Sequence, residues 1–198
     1  RRFVFRRKLT ISPRPDLYAA AAFAPPALAH GASLAGNEDA ALELDWGAPG
    51  LPRSLRLSPA PAAADAAASQ AWAAADLRLG LPRLPASQRE QWTPQQLGLE
   101  RLAAYSVKKG CYPGQEIVAR THFLGKAKRA ATVLQVDPGV LPGSEVLQAG
   151  QAIGTIVAVA AGSPSLALAV LPLDAELAKL QAGGHDATPQ PFVDGLAR

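Results

Sequence analysis

Short apolar runs separated by glycine and proline constrain the fold of the C-terminal third of the chain most strongly. Residues 132–136, 144–147, 153–159 and 166–171 are rich in β-branched and aliphatic side chains, and the turn-forming sequences Asp-Pro-Gly, Pro-Gly, Ala-Gly-Gln and Gly-Ser-Pro lie between them. Strands this short and this evenly spaced are typical of a small antiparallel barrel or sandwich. We therefore predict a small β-barrel domain over residues 126–198.

The first part of the chain, residues 1–125, mixes strand-like and helix-like segments. Alternating or continuous apolar positions bounded by turn residues predict short strands over residues 2–11, 17–23, 40–46 and 54–58. Residues 62–79 are alanine-rich without internal glycine or proline, and Gly80 follows them, which predicts a helix. Polar residues and prolines predict a long irregular connection over residues 83–97. The chain as a whole is predicted to be α+β, with a domain boundary near residue 126.

The chain contains one cysteine, Cys111, and no methionine. A single cysteine excludes an internal disulfide, so nothing favours an oxidising compartment and we expect a cytoplasmic protein. No apolar run reaches the roughly 18 residues that a membrane span needs, so we expect no membrane partner. Because the chain opens at Arg1 within a predicted strand rather than at a methionine, we expect a further N-terminal segment before it.

The surroundings of Cys111 favour a reactive thiolate over a small buried hydrophobe, which is the alternative for a lone cysteine. Two lysines and Gly110 precede it, and the residues after it predict a helix that has Pro113 and Glu116 in its first turn and ends at Gly125. Cations and the positive end of a helix dipole both stabilise the thiolate. One cysteine and three scattered histidines offer no ligand set, so no resident metal is predicted.

The residues around Cys111 are predominantly basic. The net charge of the whole chain is +4, and residues 108–129 contain six cations against the single acid Glu116: Lys108, Lys109, Arg120, Lys126, Lys128 and Arg129. These cations either clamp the carboxylates of an extended acidic ligand or nucleic-acid phosphates, or form a solvated loop face. Tyr112 either stacks on a flat ring or packs, and Gln115 and Glu116 either bind polar ligand edges or cap their helix.

The segment Lys109-Gly-Cys-Tyr-Pro-Gly-Gln-Glu116 resembles the signature of the YgfZ family, which reads Lys-Gly-Cys-(Tyr/Phe)-x-Gly-Gln-Glu. Across these eight consecutive residues, all seven specified positions match, at unusual residue types. Thinner similarity surrounds the segment, in Gly80-Leu-Pro82 upstream and in the basic exit Gly125 to Arg129 that enters the predicted barrel. The resemblance spans most of residues 2–135. The matching positions are scattered outside the signature and consecutive only within it.

The resemblance implies a fold related to the aminomethyltransferase of the glycine cleavage system, with lobes arranged around a tetrahydrofolate pocket. Residues 1–125 would then be the C-terminal part of that folate-binding core. The family maintains certain iron–sulfur enzymes, including enzymes that thiolate tRNA, in a folate-dependent way. Cys111 would be the functional thiol. The residues that the resemblance implies for binding polyglutamylated tetrahydrofolate are Lys108, Lys109, Gly110, Tyr112, Gly114, Gln115, Glu116 and Arg120.

One departure from the aminomethyltransferases argues against aminomethyl transfer and against the same recognition of the pterin. Those enzymes place an acidic residue against the pterin near the Gly-x-Pro element, whereas Arg78 occupies that place here. The partners implied are folate and iron–sulfur proteins or their assembly machinery, and a conventional turnover activity is not implied. The alternatives are a tetrahydrofolate-dependent one-carbon transferase and a tRNA-binding module that uses residues 108–129. The second is less favoured because the sequence predicts no basic sheet interleaved with aromatic residues.

Overall fold

The computed structural model divides into two compact units, Arg1–Ala64 and Asp65–Arg198. It describes residue 10 and residues 12–108, 114–125 and 127–196. Apart from Thr10, the strand predicted over residues 2–11 lies outside these described residues. The assignment of residues 1–125 to a folate-binding core stays a prediction.

The first unit contains a four-stranded antiparallel sheet in the order β1-β4-β3-β2. Its strands are β1 Tyr18–Ala22, β2 Ala35–Asn37, β3 Ala41–Asp45 and β4 Ser54–Ser58. They confirm the strands predicted over residues 17–23, 40–46 and 54–58. The sequence does not predict β2, because Ala-Gly-Asn lacks the β-branched and aromatic side chains that favour strands.

Carboxylates on strand β3 hold the loop that follows β1. The two carboxylate oxygens of Glu43 accept the backbone N–H groups of residues 27–29 at 2.9, 2.7 and 2.9 Å. Oδ2 of Asp45 accepts the N–H of Gly31 at 3.1 Å. The hydrogen bonds to Glu43, with that from Ala27 contributing most, hold the pKa of this carboxyl below its ordinary value. Charge on β3 therefore orders a loop that has no regular structure of its own.

Low pH should release the loop of residues 27–29 from Glu43. Since a lowered pKa means that the folded state binds the proton less tightly than the unfolded chain, the stabilisation from Glu43 is complete above the ordinary glutamate pKa of 4.5 and is lost as the pH falls through the lowered value. We expect Glu43→Gln to reduce the hydrogen-exchange protection of residues 27–29 already at neutral pH. Asp39→Asn, on the exposed β2–β3 turn, is the control, and unchanged protection in Glu43→Gln would contradict the prediction.

Helix α1, Ala66–Leu79, is the first element of the second unit. It is capped by Asp65 at its start and by Gly80 at its end. The Asp65 side chain accepts the N–H of Ala68 at 2.9 Å at its start. Gly80 ends it with φ 75°, a left-handed conformation that glycine adopts without strain. The helix predicted over residues 62–79 is therefore confirmed at its end and begins four residues late, because Asp65 is the first residue there that can cap.

The second unit is built on a closed, six-stranded antiparallel barrel in the order β10-β5-β8-β7-β6-β9. Its strands are β5 Arg129–Val136, β6 Glu145–Gln148, β7 Gln151–Ala160, β8 Ser165–Pro172, β9 Leu180–Ala182 and β10 His185–Gln190. The predicted α+β class and C-terminal antiparallel barrel are confirmed. The sequence does not predict β9 and β10, because β9 has three residues and β10 is polar and contains Pro189.

Strand β8 is buried on both faces because helix α1 covers the outside of the barrel. One core cluster takes side chains from all six strands, among them Leu134, Ile156 and Leu171. A second cluster joins Leu77 of α1 to outward-facing residues of the barrel such as Leu168. This double burial explains the continuous apolar run of β8, which alternation alone does not predict.

The connection between α1 and the signature segment contains only one short 3-10 helix, Ala86–Gln88. This confirms the irregular connection predicted over residues 83–97. Leu97 is buried against Val157 and Val170 of the barrel, with Trp92 and Leu99 packed beside it. The connection is thus fixed to the barrel wall, and it can position the segment on its C-terminal side.

Candidate functional site

The signature segment enters a helix through Gly114. Helix α2 spans Gln115–Phe123, and Gly114 precedes it with φ 83° and ψ −3°. A residue with a side chain would be strained in this left-handed conformation, which gives a physical reason for the glycine at this position of the signature. The helix predicted after the signature is confirmed, and it begins at Gln115 with Glu116 in its first turn. Pro113 itself lies outside the described residues.

The start of α2 is open to solvent. Among the described residues, a Cβ added to Gly114 would meet no atom within 4 Å, and no described side chain caps the helix at this position. The N–H groups of the first helical turn point away from the helix and attract negative charge. Glu116 lies exposed in the same turn and Gln115 is half-buried. The geometry therefore permits an anion to approach the end of the helix, beside one resident carboxylate.

Helix α2 is held by the connection that precedes it. Val118 is its one buried residue, and the Val118 carbonyl oxygen accepts a hydrogen bond from Nε2 of Gln95 at 2.8 Å. On the next turn, Nδ1 of His122 lies 3.9 Å from Oε1 of Glu100. Sequence reasoning missed Gln95, since a polar residue in an irregular loop gives no periodic signal that identifies its partner.

Five of the nine predicted site residues lie in the described part of the chain. Lys108 is exposed at the end of the connection, where its N–H donates to Oγ of Ser106 at 3.2 Å. The other four share the start and the first two turns of α2: Gly114, Gln115, Glu116 and Arg120. The remaining four lie outside the described residues, and they are Lys109, Gly110, Cys111 and Tyr112. The structure thus brings together the second half of the predicted site.

Two open grooves follow along the chain from α2 to the barrel. The first, of about 390 Å³, is lined by Arg120, Thr121, Leu124 and Gly125. The second, of about 690 Å³, is lined by Ala127, Lys128, Arg129, Pro172, Leu173 and Asp174. Nη1 of Arg129 donates to the Ile153 carbonyl oxygen at 2.8 Å, which fixes this guanidinium beside the second groove. Both grooves combine cations with apolar side chains.

The region of the Gly-Leu-Pro element contains an acidic residue that sequence reasoning missed. Arg78 is exposed on the last turn of α1. Two residues earlier, Asp76 is buried, and its Oδ2 accepts a hydrogen bond from Nε of Arg83 at 2.6 Å. An aspartate two positions before Arg78, on a helix followed by a basic loop, is the signal that could have found this pair. Asp76 is therefore engaged within the fold.

Neither a metal-binding cluster nor a family match identifies the site further. Over the described ranges, no three side chains of His, Cys, Asp or Glu come close enough together to hold a metal ion. In the same part of the chain, no helix has the length and apolar character needed to cross a membrane. No family model matches the chain. A functional proposal therefore depends on the signature segment and on the geometry of α2.

Proposed function

We propose that the chain is the C-terminal part of a YgfZ-type, folate-dependent accessory protein that supports the assembly or repair of iron–sulfur enzymes in the cytoplasm. The observation that carries the proposal is the eight-residue signature from Lys109 to Glu116. Cys111 is the proposed reactive group. Iron–sulfur proteins or their assembly machinery, including those that modify tRNA, are the proposed partners.

The geometry of α2 supports this proposal in one respect. The left-handed Gly114 and the open helix start after it provide N–H groups and a positive dipole just C-terminal to the cysteine in sequence. Together with Lys108 and Lys109 in the sequence, these features favour an ionised thiol. A thiolate can act as a nucleophile or as a transient ligand for iron that is cargo.

We propose that the described residues bind only the glutamate tail of a folate molecule. Tetrahydrofolate, when bound, supplies a carrier for one-carbon groups. The exposed cations Lys108 and Arg120, and the open groove beside Arg120, suit the carboxylates of a glutamate tail. A pterin needs an enclosed slot, and the residues lining this groove do not form one within the described part of the chain. The proposed role of Lys108 and Arg120 is therefore to bind the tail, not the ring.

The thiol hypothesis is tested by Cys111→Ser in the full-length protein. We expect cluster-dependent enzymes in cells that rely on the variant to fall to the activity seen without the protein, because a hydroxyl does not ionise at neutral pH and binds iron weakly. In the purified protein, the pH at which the alkylation rate of Cys111 is half its maximum should lie below the ordinary cysteine pKa of about 8.5.

Ala104→Ser, which adds the same hydroxyl at an exposed position outside the signature, is the matched control. Full client activity in Cys111→Ser, or alkylation with the pH profile of free cysteine, would contradict the proposal. Turnover of an aminomethyl donor that depends on tetrahydrofolate would instead favour the one-carbon transferase.

A further inference from the structure

The side-chain amide of Gln95 joins the connection to helix α2 through one of its two polar atoms. Its Nε2 donates to the Val118 carbonyl oxygen at 2.8 Å. Its Oε1 is buried and accepts no hydrogen bond from the part of the chain that the structure describes. The amide cannot be turned over, because the Val118 carbonyl needs a donor. Since a buried acceptor without a partner costs free energy that offsets the one bond made, stability alone does not explain a glutamine at this position.

The backbone around Gln95 is fixed to the barrel. The Gln95 carbonyl oxygen accepts the N–H of Gly98 at 3.0 Å, which closes a tight turn. Leu97, within this turn, is buried against Val157 and Val170 of the barrel. The Nε2 donor of Gln95 therefore starts from a backbone that is held, and its hydrogen bond relates the position of α2 to the barrel wall.

Helix α2 is too short and too exposed to hold its own position. It has nine residues, of which only Val118 is buried, whereas an isolated helix needs roughly 12–15 residues to be even marginally stable in water. Nδ1 of His122 lies 3.9 Å from Oε1 of Glu100, which is a second and weaker contact with the same connection. The position of α2 therefore depends strongly on the hydrogen bond from Gln95.

Gln95 links the two segments that carry the cations proposed to bind a glutamate tail. Lys108 is exposed at the end of the connection, and Arg120 is exposed on α2, two residues after Val118 and beside the groove of about 390 Å³. A flexible tail with several carboxylates gains most from two cations whose spacing is already held. Otherwise the ordering of both segments on binding costs conformational entropy.

We propose that Gln95 is a positioning residue that holds α2 against the connection and thereby sets a preference for folates with several glutamates. Its buried amide acts through α2 and not by contact with the tail. The inference rests on the proposed function, because it takes the tail-binding role of Lys108 and Arg120 from there. It adds that a side chain outside the signature controls recognition of the tail.

Gln95→Met in the full-length protein tests the proposal, because methionine has a similar shape and no amide. We expect the parent to bind tetrahydrofolate with five glutamates about tenfold more tightly than tetrahydrofolate with one, and Gln95→Met to reduce this ratio to about two. Amide hydrogen exchange of residues 118–123 should become faster in the variant. Its thermal midpoint should not fall, since the substitution also removes the unpartnered Oε1.

Gln91→Met is the matched control. Nε2 of Gln91 also donates to a backbone carbonyl, that of Ser87 at 2.6 Å, but this bond stays within the connection, so the variant should change neither the ratio nor the exchange of α2. Gln95→Glu is a second variant, whose carboxyl can donate only when it is protonated. Compared with the parent at the same pH, α2 should lose protection at about pH 7 and regain it at about pH 4.

The outcomes separate this inference from the proposed function. A ratio that Gln95→Met leaves at the parent's value overturns the inference and leaves the proposed function intact. So does a ratio that falls only in step with the thermal midpoint, because that result shows a purely structural role, and so does an equal fall in Gln91→Met. Equal binding of the two folates by the parent contradicts the tail-binding role of Lys108 and Arg120 itself, and the inference then fails with it.

Discussion

Replacing Gly154 with alanine should destabilise the barrel by about 3 kcal/mol. Gly154 lies in β7, and a Cβ at this position would overlap both the carbonyl oxygen of Val170 and a methyl group of Leu171 on the neighbouring strand. The Val170 carbonyl cannot move aside easily, because β8 is paired on one side with β5 and on the other with β7. The added methyl group therefore forces a shift of paired backbone in a close-packed core.

Denaturant unfolding followed by circular dichroism measures this effect. Gly125→Ala is the matched control, since a Cβ there meets nothing within 4 Å in the part of the chain that the structure describes, and the residue is exposed after α2. We expect the control to change the free energy of unfolding by no more than about 0.5 kcal/mol. An unchanged midpoint for Gly154→Ala would mean that β7 and β8 are not packed as closely as described.

Gly80→Ala should have a comparably large effect, also about 3 kcal/mol, for two separable reasons. The first is backbone strain, because Gly80 has φ 75°. The second is crowding, because a Cβ at this position would lie 2.5 Å from Nη2 of Arg101 and 2.9 Å from Cε1 of Phe192. Arg101 cannot retreat without loss, since Nη2 donates to the Leu79 carbonyl oxygen and the guanidinium lies 4.4 Å from the centre of the Phe192 ring.

Gly150→Ala separates these two contributions. Gly150 has φ 77°, almost the same as Gly80, but an added Cβ meets nothing within 4 Å. The backbone strain alone should cost about 1 kcal/mol. The difference between the two variants in the free energy of unfolding then measures the crowding at the end of α1. Equal values for the two variants would show that Arg101 and Phe192 adapt freely, against the prediction.

Local signals account for the elements that the sequence predicts. Helix α1 follows from its alanine content and from Gly80, and strands β5 to β8 follow from apolar runs between turns. The start of α1 is displaced because a cap depends on one side chain, Asp65, more than on composition. Strands β9 and β10 are held by their partners and not by their own residues, which is why a polar segment with Pro189 still joins the sheet.

The candidate site also has features that the local sequence predicts and features that depend on distant contacts. The helix after the signature and its exposed Glu116 follow from local sequence. The attachment of α2 through Gln95 to Val118 joins residues 23 positions apart, and the exposure of Leu124 depends on what packs around it, so neither has a local signature. The conformation at Gly114 is predicted only in part. The sequence indicates a flexible turn, but it does not indicate at which residue the helix begins.

The closure of the barrel has a consequence for biosynthesis. The ring is completed by the pairing of β5 with β10, between residues 133–135 and 188–190. About 55 residues must therefore leave the ribosome after β5 before the seam can form, and such distant pairings are reached slowly. Until then β5 offers an unpaired edge to other nascent chains. We expect the half-made barrel to be the stage at which this polypeptide depends most on molecular chaperones.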